Sequence, residues 1–347
     1  MENLLKEDWR KEGTTWESFE ESAKRLSDAT KIQPAYGRDL TLFSTIRSKK
    51  AQELDQYILL ALDKNNVDRI MEMQRPNYVQ LDKKDLSPYQ EDFEQTGILL
   101  MNETLKSRDR FILSKHALML LAARVGLGGE RFCERNNYAR DLLLADAITS
   151  LPDRNGRNSY GMRLVYRTDG KINKVFSVAG MFFSIIPQRV ICEMLKEIKE
   201  EYGLEMGFWE ISHEKTEVRL FDYTKARNGL VPGIRMINSD MGYSSYVFQN
   251  IIQEREDGEF FVTGETAVQH KYGVRQEDLL LELRKKASSV AALQLRQGKI
   301  DANKLNILPN KYKNLMPNDG DCFSFLRKLK EKGANPVLLG KVRKMCL

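Results

Sequence analysis

Apolar residues recur along this chain at two different periods, and the change of period divides it. Near the N-terminus Trp16, Phe19, Ala23 and Leu26 stand three and four residues apart, the spacing of one helix face. Thr14 and Thr15 ahead of them offer an N-cap. Residues 51–63 (AQELDQYILLALD) read as a second helix, and residues 74–79 (QRPNYV) break the pattern with a proline. Residues 1–85 are therefore expected to form a polar, helical N-terminal region. Residues 117–125 (ALMLLAARV) predict an apolar helix stopped by Gly126-Leu127-Gly128-Gly129, and residues 130–135 start another.

After Pro152 the period shortens to two. MRLVYRTDGKINKVFSVAGMFF predicts two strands around Asp169-Gly170, a strong hairpin signal. Residues 186–202 predict a helix with Pro187 in its first turn and Gly203 just past its end. LEMGFWEIS and TEVRLFDYT make a strand pair through His213-Glu214-Lys215. VPGIRMIN, a polar bend and residues 246–255 make another, and EFFVTGETAVQH adds one more strand. A helix follows over 276–297, with Leu279, Leu280, Leu283, Ala287 and Val290 along one side, then a loop and a short basic helix over 322–332. The fold class expected is α+β: one mostly antiparallel sheet over 158–275 with the 186–202 helix on a face, preceded by the helical N-terminus and followed by a basic helical tail. The divisions expected are 1–85, 86–286 and 287–347.

Composition changes this picture little. The 347 residues are 41% hydrophobic and 30% charged, which suits a globular protein with a real core. No apolar run reaches the roughly 18 to 20 residues that span a bilayer, and MENLLKEDWRKEG lacks the apolar stretch of a secretory signal, so the expected setting is cytoplasmic. Cys133, Cys192, Cys322 and Cys346 are scattered and read as ordinary reduced thiols. No zinc, P-loop or hydrolase signature is present, and no cofactor or metal is expected.

Charge placement matters more. Residues 284–347 carry 15 Lys+Arg against 4 Asp+Glu, and the rest of the chain carries 40 against 45. A basic end on an acidic body points to a polyanion partner, or to an electrostatic contact of the tail with its own body. Within the first hairpin, Arg163 and Arg167 fall on one strand face with Lys171 and Lys174 nearby and Tyr166 between them. Cations interleaved with an aromatic are what a single nucleic-acid strand needs for phosphate contact and base stacking. Lys328 and Lys330 in the tail join that set.

The bend at residues 238–245 contains Asn238, Ser239, Asp240 and Gly242. These residues suffice for a turn, and Asn238 and Ser239 are also candidate ligand contacts. His270, followed by Lys271 and Tyr272, is a third ligand candidate. HALMLLAARVGLGGERFCER fits a helix-turn-helix as well as a plain helical hairpin; a DNA reader would present Arg131 and Arg135.

The order of these segments resembles the phage/plasmid-like family called "domain of unknown function 932". The likeness rests on ALMLLAARVGLGGERFCER, DLLLADAIT, MRLVYRTDGKINKVFSVAGMFFSIIPQRVICEML, VPGIRMINSDMG and His270-Lys271-Tyr272-Gly273, in that sequence, over about residues 111–286. Where that family often carries Cys-x-Asn-Gly, this chain reads REDGEFFVTG. The resemblance implies a fold and a mobile-element origin and brings no reaction with it.

Together these features predict a nucleic-acid-binding protein of a phage or plasmid that binds or anneals single strands without chemistry of its own. A protein-binding inhibitor of a host defence system is the alternative, and a metal-dependent nuclease assembled only in the fold is the third. Homo-oligomerisation is compatible with each.

Overall fold

The computed structural model describes residues 4–46, 55–62, 78–104, 107–128, 130–134, 137–151, 161–181, 183, 185–226, 230–241, 243, 245–255, 258–269, 275–293, 308–316 and 322–345. It is an α+β structure with two sheets. The strands are β1 Arg10–Gly13, β2 Thr30–Ala35, β3 Leu40–Ile46, β4 Gln56–Ala61, β5 Tyr78–Asp82, β6 Ile98–Thr104 and β7 Ser107–Leu113. Then come β8 Met162–Thr168, β9 Asn173–Gly180, β10 Glu205–Ser212, β11 Thr216–Phe221, β12 Leu230–Asn238, β13 Tyr246–Glu254 and β14 Phe260–Val268. The chain divides into two compact units, one of Met1–Arg10 with Lys24–Phe183, the other of Lys11–Ala23 with Ser184–Leu347. The divisions expected at residues 85 and 286 do not coincide with this one.

The first unit holds an eight-stranded sheet in the order β2-β8-β9-β7-β6-β3-β4-β5, antiparallel except where β7 meets β9. One face packs on the helices Lys115–Arg124 and Tyr138–Thr149 through Leu100, Phe111, Leu118, Leu121, Leu144 and Leu164. Ser114 caps the first helix, its Oγ accepting from the Ala117 amide at 3.0 Å. Gly126, at φ +79°, ends the turn that follows, as the glycine run predicts.

The second unit holds a six-stranded sheet in the order β1-β10-β11-β12-β13-β14. The helix Gln188–Glu201 begins after Pro187 and ends before Gly203, at φ +63°. Trp16 and Phe19 are buried as their spacing predicts, and Phe19 lies 5.9 Å from the ring of Trp209 on β10. Successive residues along a strand alternate between faces, and residues in register across strands share one. The rung Trp209, Val218, Met236, Phe248 is buried throughout. Gly233 of VPGIR is required by packing: a Cβ there would meet the Leu220 carbonyl at 2.5 Å and the Phe221 ring. No helix is long and apolar enough to cross a membrane among the described residues.

Three expectations are corrected. The described part of residues 1–85 is not a helical region: beside the helix Trp16–Ala29 and single turns at Gly37–Asp39 and Lys83–Leu86, it forms β1 to β5. YILLA, residues 57–61, belongs to β4, where Tyr57 and Leu59 point inward and Ile58 and Leu60 are less buried; a short apolar run carries no period strong enough to separate helix from strand. The strands of 158–275 do not share one sheet either. The Asp169-Gly170 hairpin forms as predicted, with Gly170 at φ +90°, but β8 pairs with β2 and β9 with β7, placing both in the first unit.

Candidate functional site

The basic hairpin is not an open cationic face. Arg167 and Lys174 stand opposite each other in the β8–β9 ladder, and both are fully buried. A buried charge is tolerated only with partners. Lys174 Nζ donates to the Leu5 carbonyl at 3.0 Å and to Asp92 Oδ2 at 3.1 Å, and lies 3.4 Å from a Glu7 oxygen. Arg167 Nε donates to Thr30 Oγ1 at 3.3 Å, and both cations lie over the Phe176 ring at 5.2 and 5.3 Å. Arg163 is half-buried and donates to the Phe183 carbonyl at 2.9 Å. Tyr166 packs edge-on against Phe111, centroids 4.9 Å apart, as part of the core. Only Lys171, at the hairpin tip, is exposed among these five. In the tail, Lys328 is exposed and Lys330 is ion-paired to Glu254 and Glu259.

The bend after β12 is likewise packed. Asn238 and Ser239 are buried, and Ser239 Oγ accepts the Tyr243 amide at 3.1 Å, closing the turn. Asn238 pairs with Thr216 in the ladder, on the same buried face as Tyr246, whose hydroxyl accepts the Ile186 amide at 3.3 Å. The ligand reading of this loop required exposed side chains, and these two have almost no exposure. His270 and Arg135 lie outside the described residues. The helix Glu130–Glu134, which carries Arg131, has five residues, short for a recognition helix. Cys133 and Cys192 are buried free thiols; burial raises both thiol pKa values, that of Cys192 to about 12, so neither is a ready nucleophile. Among the described residues no group of three His, Cys, Asp or Glu could hold a metal ion.

What the fold does bring together lies on the other face of the six-stranded sheet. The rung Phe208, Arg219, Arg235, Gln249, Glu265 runs across β10 to β14 in register. Two residues along, Glu217 stands opposite Glu210. Glu217, 1% exposed, is the hub. Arg235 grips it with two parallel bonds, Nε to Oε1 at 2.9 Å and Nη2 to Oε2 at 2.8 Å. Arg219 Nε donates to Oε1 at 2.8 Å, and Lys215 Nζ donates to Oε2 at 3.0 Å while lying 2.9 Å from Glu210. The line continues outward: Arg235 Nη1 donates to Gln249 Oε1 at 3.0 Å, and Gln249 Nε2 donates to Glu265 at 2.6 Å.

Burial by itself would raise the Glu217 pKa. The hydrogen bonds from Arg235, Arg219 and Lys215 together outweigh it and hold the carboxyl at about 2. The two guanidiniums also meet aromatic rings. Arg219 lies 4.5 Å from the Phe208 centroid and 4.2 Å from that of Phe260, and Arg235 lies 5.1 Å from Phe260. Arg219 and Arg235 remain about one-fifth exposed, Phe208 and Phe260 half-buried, and Glu265 exposed. The guanidinium edges are consumed by carboxylates and an amide, so what remains for a ligand is the exposed part of the Phe208 and Phe260 rings and of the two guanidiniums.

No family model, curated protein or solved structure matches the chain.

Proposed function

We propose that this protein binds single-stranded nucleic acid at the arginine–aromatic row on the polar face of the six-stranded sheet, without chemistry of its own, in the setting of a phage or plasmid that the resemblance of residues 111–286 suggests. The observation that carries the reading is the arginine–aromatic row: Arg219 and Arg235 are held by Glu217, and the half-buried rings of Phe208 and Phe260 lie against them. Unstacked bases are read by aromatic rings and guanidinium planes in this way, at about 1–3 kcal/mol per base. Because Glu217 and Gln249 occupy the guanidinium edges, stacking should dominate and phosphate contact should be secondary.

The test is fluorescence anisotropy of labelled DNA and RNA 15-mers across a salt series. Phe208→Ala and Phe260→Ala should each weaken binding about tenfold, the cost of one lost stack. The slope against salt should stay unchanged, since neither ring meets phosphate. Equal affinity in both variants and wild type would remove the proposal. A second reading, a protein partner on the same face, is favoured by its charge balance: Lys215, Arg219 and Arg235 are matched by Glu210, Glu217 and Glu265. Under that reading wild type binds neither nucleic acid at low salt.

A further inference from the structure

The row that starts at Phe208 and runs through Arg219, Arg235 and Gln249 ends at Glu265 on β14. Glu265 is exposed, yet its carboxylate is aimed. A guanidinium can only donate, so the Gln249 side chain turns Oε1 toward Arg235 Nη1, 3.0 Å away, and its NH2 group the other way. That NH2 group donates to Glu265 Oε2 at 2.6 Å. Glu217 is 1% exposed and Gln249 7%, so the relay from Glu217 through Arg235 and Gln249 starts from buried groups. An exposed glutamate ordinarily samples many rotamers; this one is tethered to the hub. Its Oε1 accepts no hydrogen bond from any described residue. Each carboxylate oxygen has two lone-pair sites, so Oε1 and one site of Oε2 are open to a ligand.

We infer that Glu265 selects guanine: a base laid over the Phe260 ring and the Arg235 guanidinium turns its Watson–Crick edge to this carboxylate, and guanine N1–H and N2–H donate to the two oxygens. The inference rests on the single-strand reading of this face and names the base it prefers. A carboxylate accepts hydrogen bonds and donates none. Among the common bases only guanine presents two adjacent donors on its Watson–Crick edge. Adenine and cytosine present one donor beside a ring nitrogen whose lone pair would face the carboxylate. Thymine and uracil present one donor between two carbonyl oxygens. Phosphate carries the same sign of charge as Glu265 and is repelled from it, which leaves a base edge as the part of a strand that this carboxylate can meet. The spacing also suits a base. β12 and β14 are two strand spacings apart, about 10 Å between their backbones. A purine stacked at Arg235 and one hydrogen bond of about 2.9 Å cover that gap.

The experiment changes one base at a time. Full-length wild type, Glu265→Gln and Glu265→Ala are titrated with labelled thymine 15-mers that carry separated guanines, adenines or inosines at the same positions. Wild type should bind the guanine strand about tenfold more tightly than the adenine strand, the discrimination of one two-bond base contact. Inosine, which keeps N1–H and lacks the N2 amine, should fall between them. The ratio of guanine to adenine affinity should hold across a salt series, because the contact involves no phosphate. Both variants should lose the preference and bind the all-thymine strand as wild type does. Wild type that binds guanine, adenine and inosine strands equally overturns the inference while the single-strand reading stands. So does a guanine preference that survives in both variants. Wild type that binds no strand at all removes the single-strand reading and the guanine preference with it. The inosine comparison uses wild type alone, so it decides the matter even where a variant folds poorly.

Discussion

Replacing Glu217 by glutamine should cost the protein about 3–5 kcal/mol of unfolding free energy, read as a lowered midpoint in urea. The carboxylate is 1% exposed and receives hydrogen bonds from Lys215, Arg219 and Arg235. Glutamine keeps the shape but cannot balance three cations, and its NH2 group turns a donor toward donors. Charges left half-buried without their counterion are among the most destabilising single changes. The cations themselves keep some solvent, which favours the lower end of the range. The same residue sets an acid limit. Its pKa is held near 2 in the fold and returns to about 4.3 when unfolded. Its contribution is therefore complete above the unfolded value and is lost as pH falls from about 4.3 toward 2. Wild type should lose stability over that window with a steeper slope than the variant, measured by urea unfolding at stepped pH. Parallel curves would mean that Glu217 is not the hub.

A comparable loss, about 3–5 kcal/mol, is expected in the first unit for Asp141→Asn. Asp141 and Arg140 are both almost fully buried, at 2% and 1%. Arg140 Nε donates to Asp141 Oδ1 at 2.7 Å, and its remaining nitrogens donate to the Thr96 carbonyl at 2.6 Å and the Cys133 carbonyl at 3.2 Å. Ser44 Oγ donates to the other Asp141 oxygen at 2.5 Å, fastening the Tyr138–Thr149 helix to β3. Burial raises the Asp141 pKa in spite of the Ser44 hydroxyl and Arg140. Removing only the carboxylate strands a buried guanidinium. Removing both ends, as in Arg140→Met/Asp141→Leu, should be far milder, because a well-packed apolar pair replaces two desolvated charges. Calorimetric unfolding of the single and double variants reads the difference directly. A double variant as unstable as the single one would show that the hydrogen bonds to the carbonyls and Ser44, not the charge pair, hold the helix.

Much of the secondary structure was legible because it is local. The Asp169-Gly170 hairpin, the helix after Pro187 and the run of strands from Glu205 to Val268 each carry their signal within a dozen residues. Sheet membership was not legible. That β8 joins β2, some 130 residues earlier in the chain, depends on long-range pairing that no local period encodes. The same limit hid the candidate site. Phe208, Arg219, Arg235, Gln249 and Glu265 lie on five strands and meet only through register. A partial signal was present in TEVRLF, where Glu217 and Arg219 alternate with Val218 and Leu220 and so face away from the core. The basic hairpin misled for the converse reason. Counting charges identifies Arg167 and Lys174 but not the carboxylates of Glu7 and Asp92 that surround Lys174.

A single strand lying on the Phe208–Arg219–Phe260 face, as proposed, would place its bases within reach of both rings. Photocrosslinking tests it most directly: a single-stranded oligonucleotide carrying a photoreactive halogenated pyrimidine is irradiated with full-length protein, and the crosslinked peptides are sequenced. Adducts are expected at Phe208 and Phe260, lost when excess unlabelled strand competes. Adducts confined to the 162–180 hairpin, or none on the six-stranded sheet while the strand still binds, would contradict it.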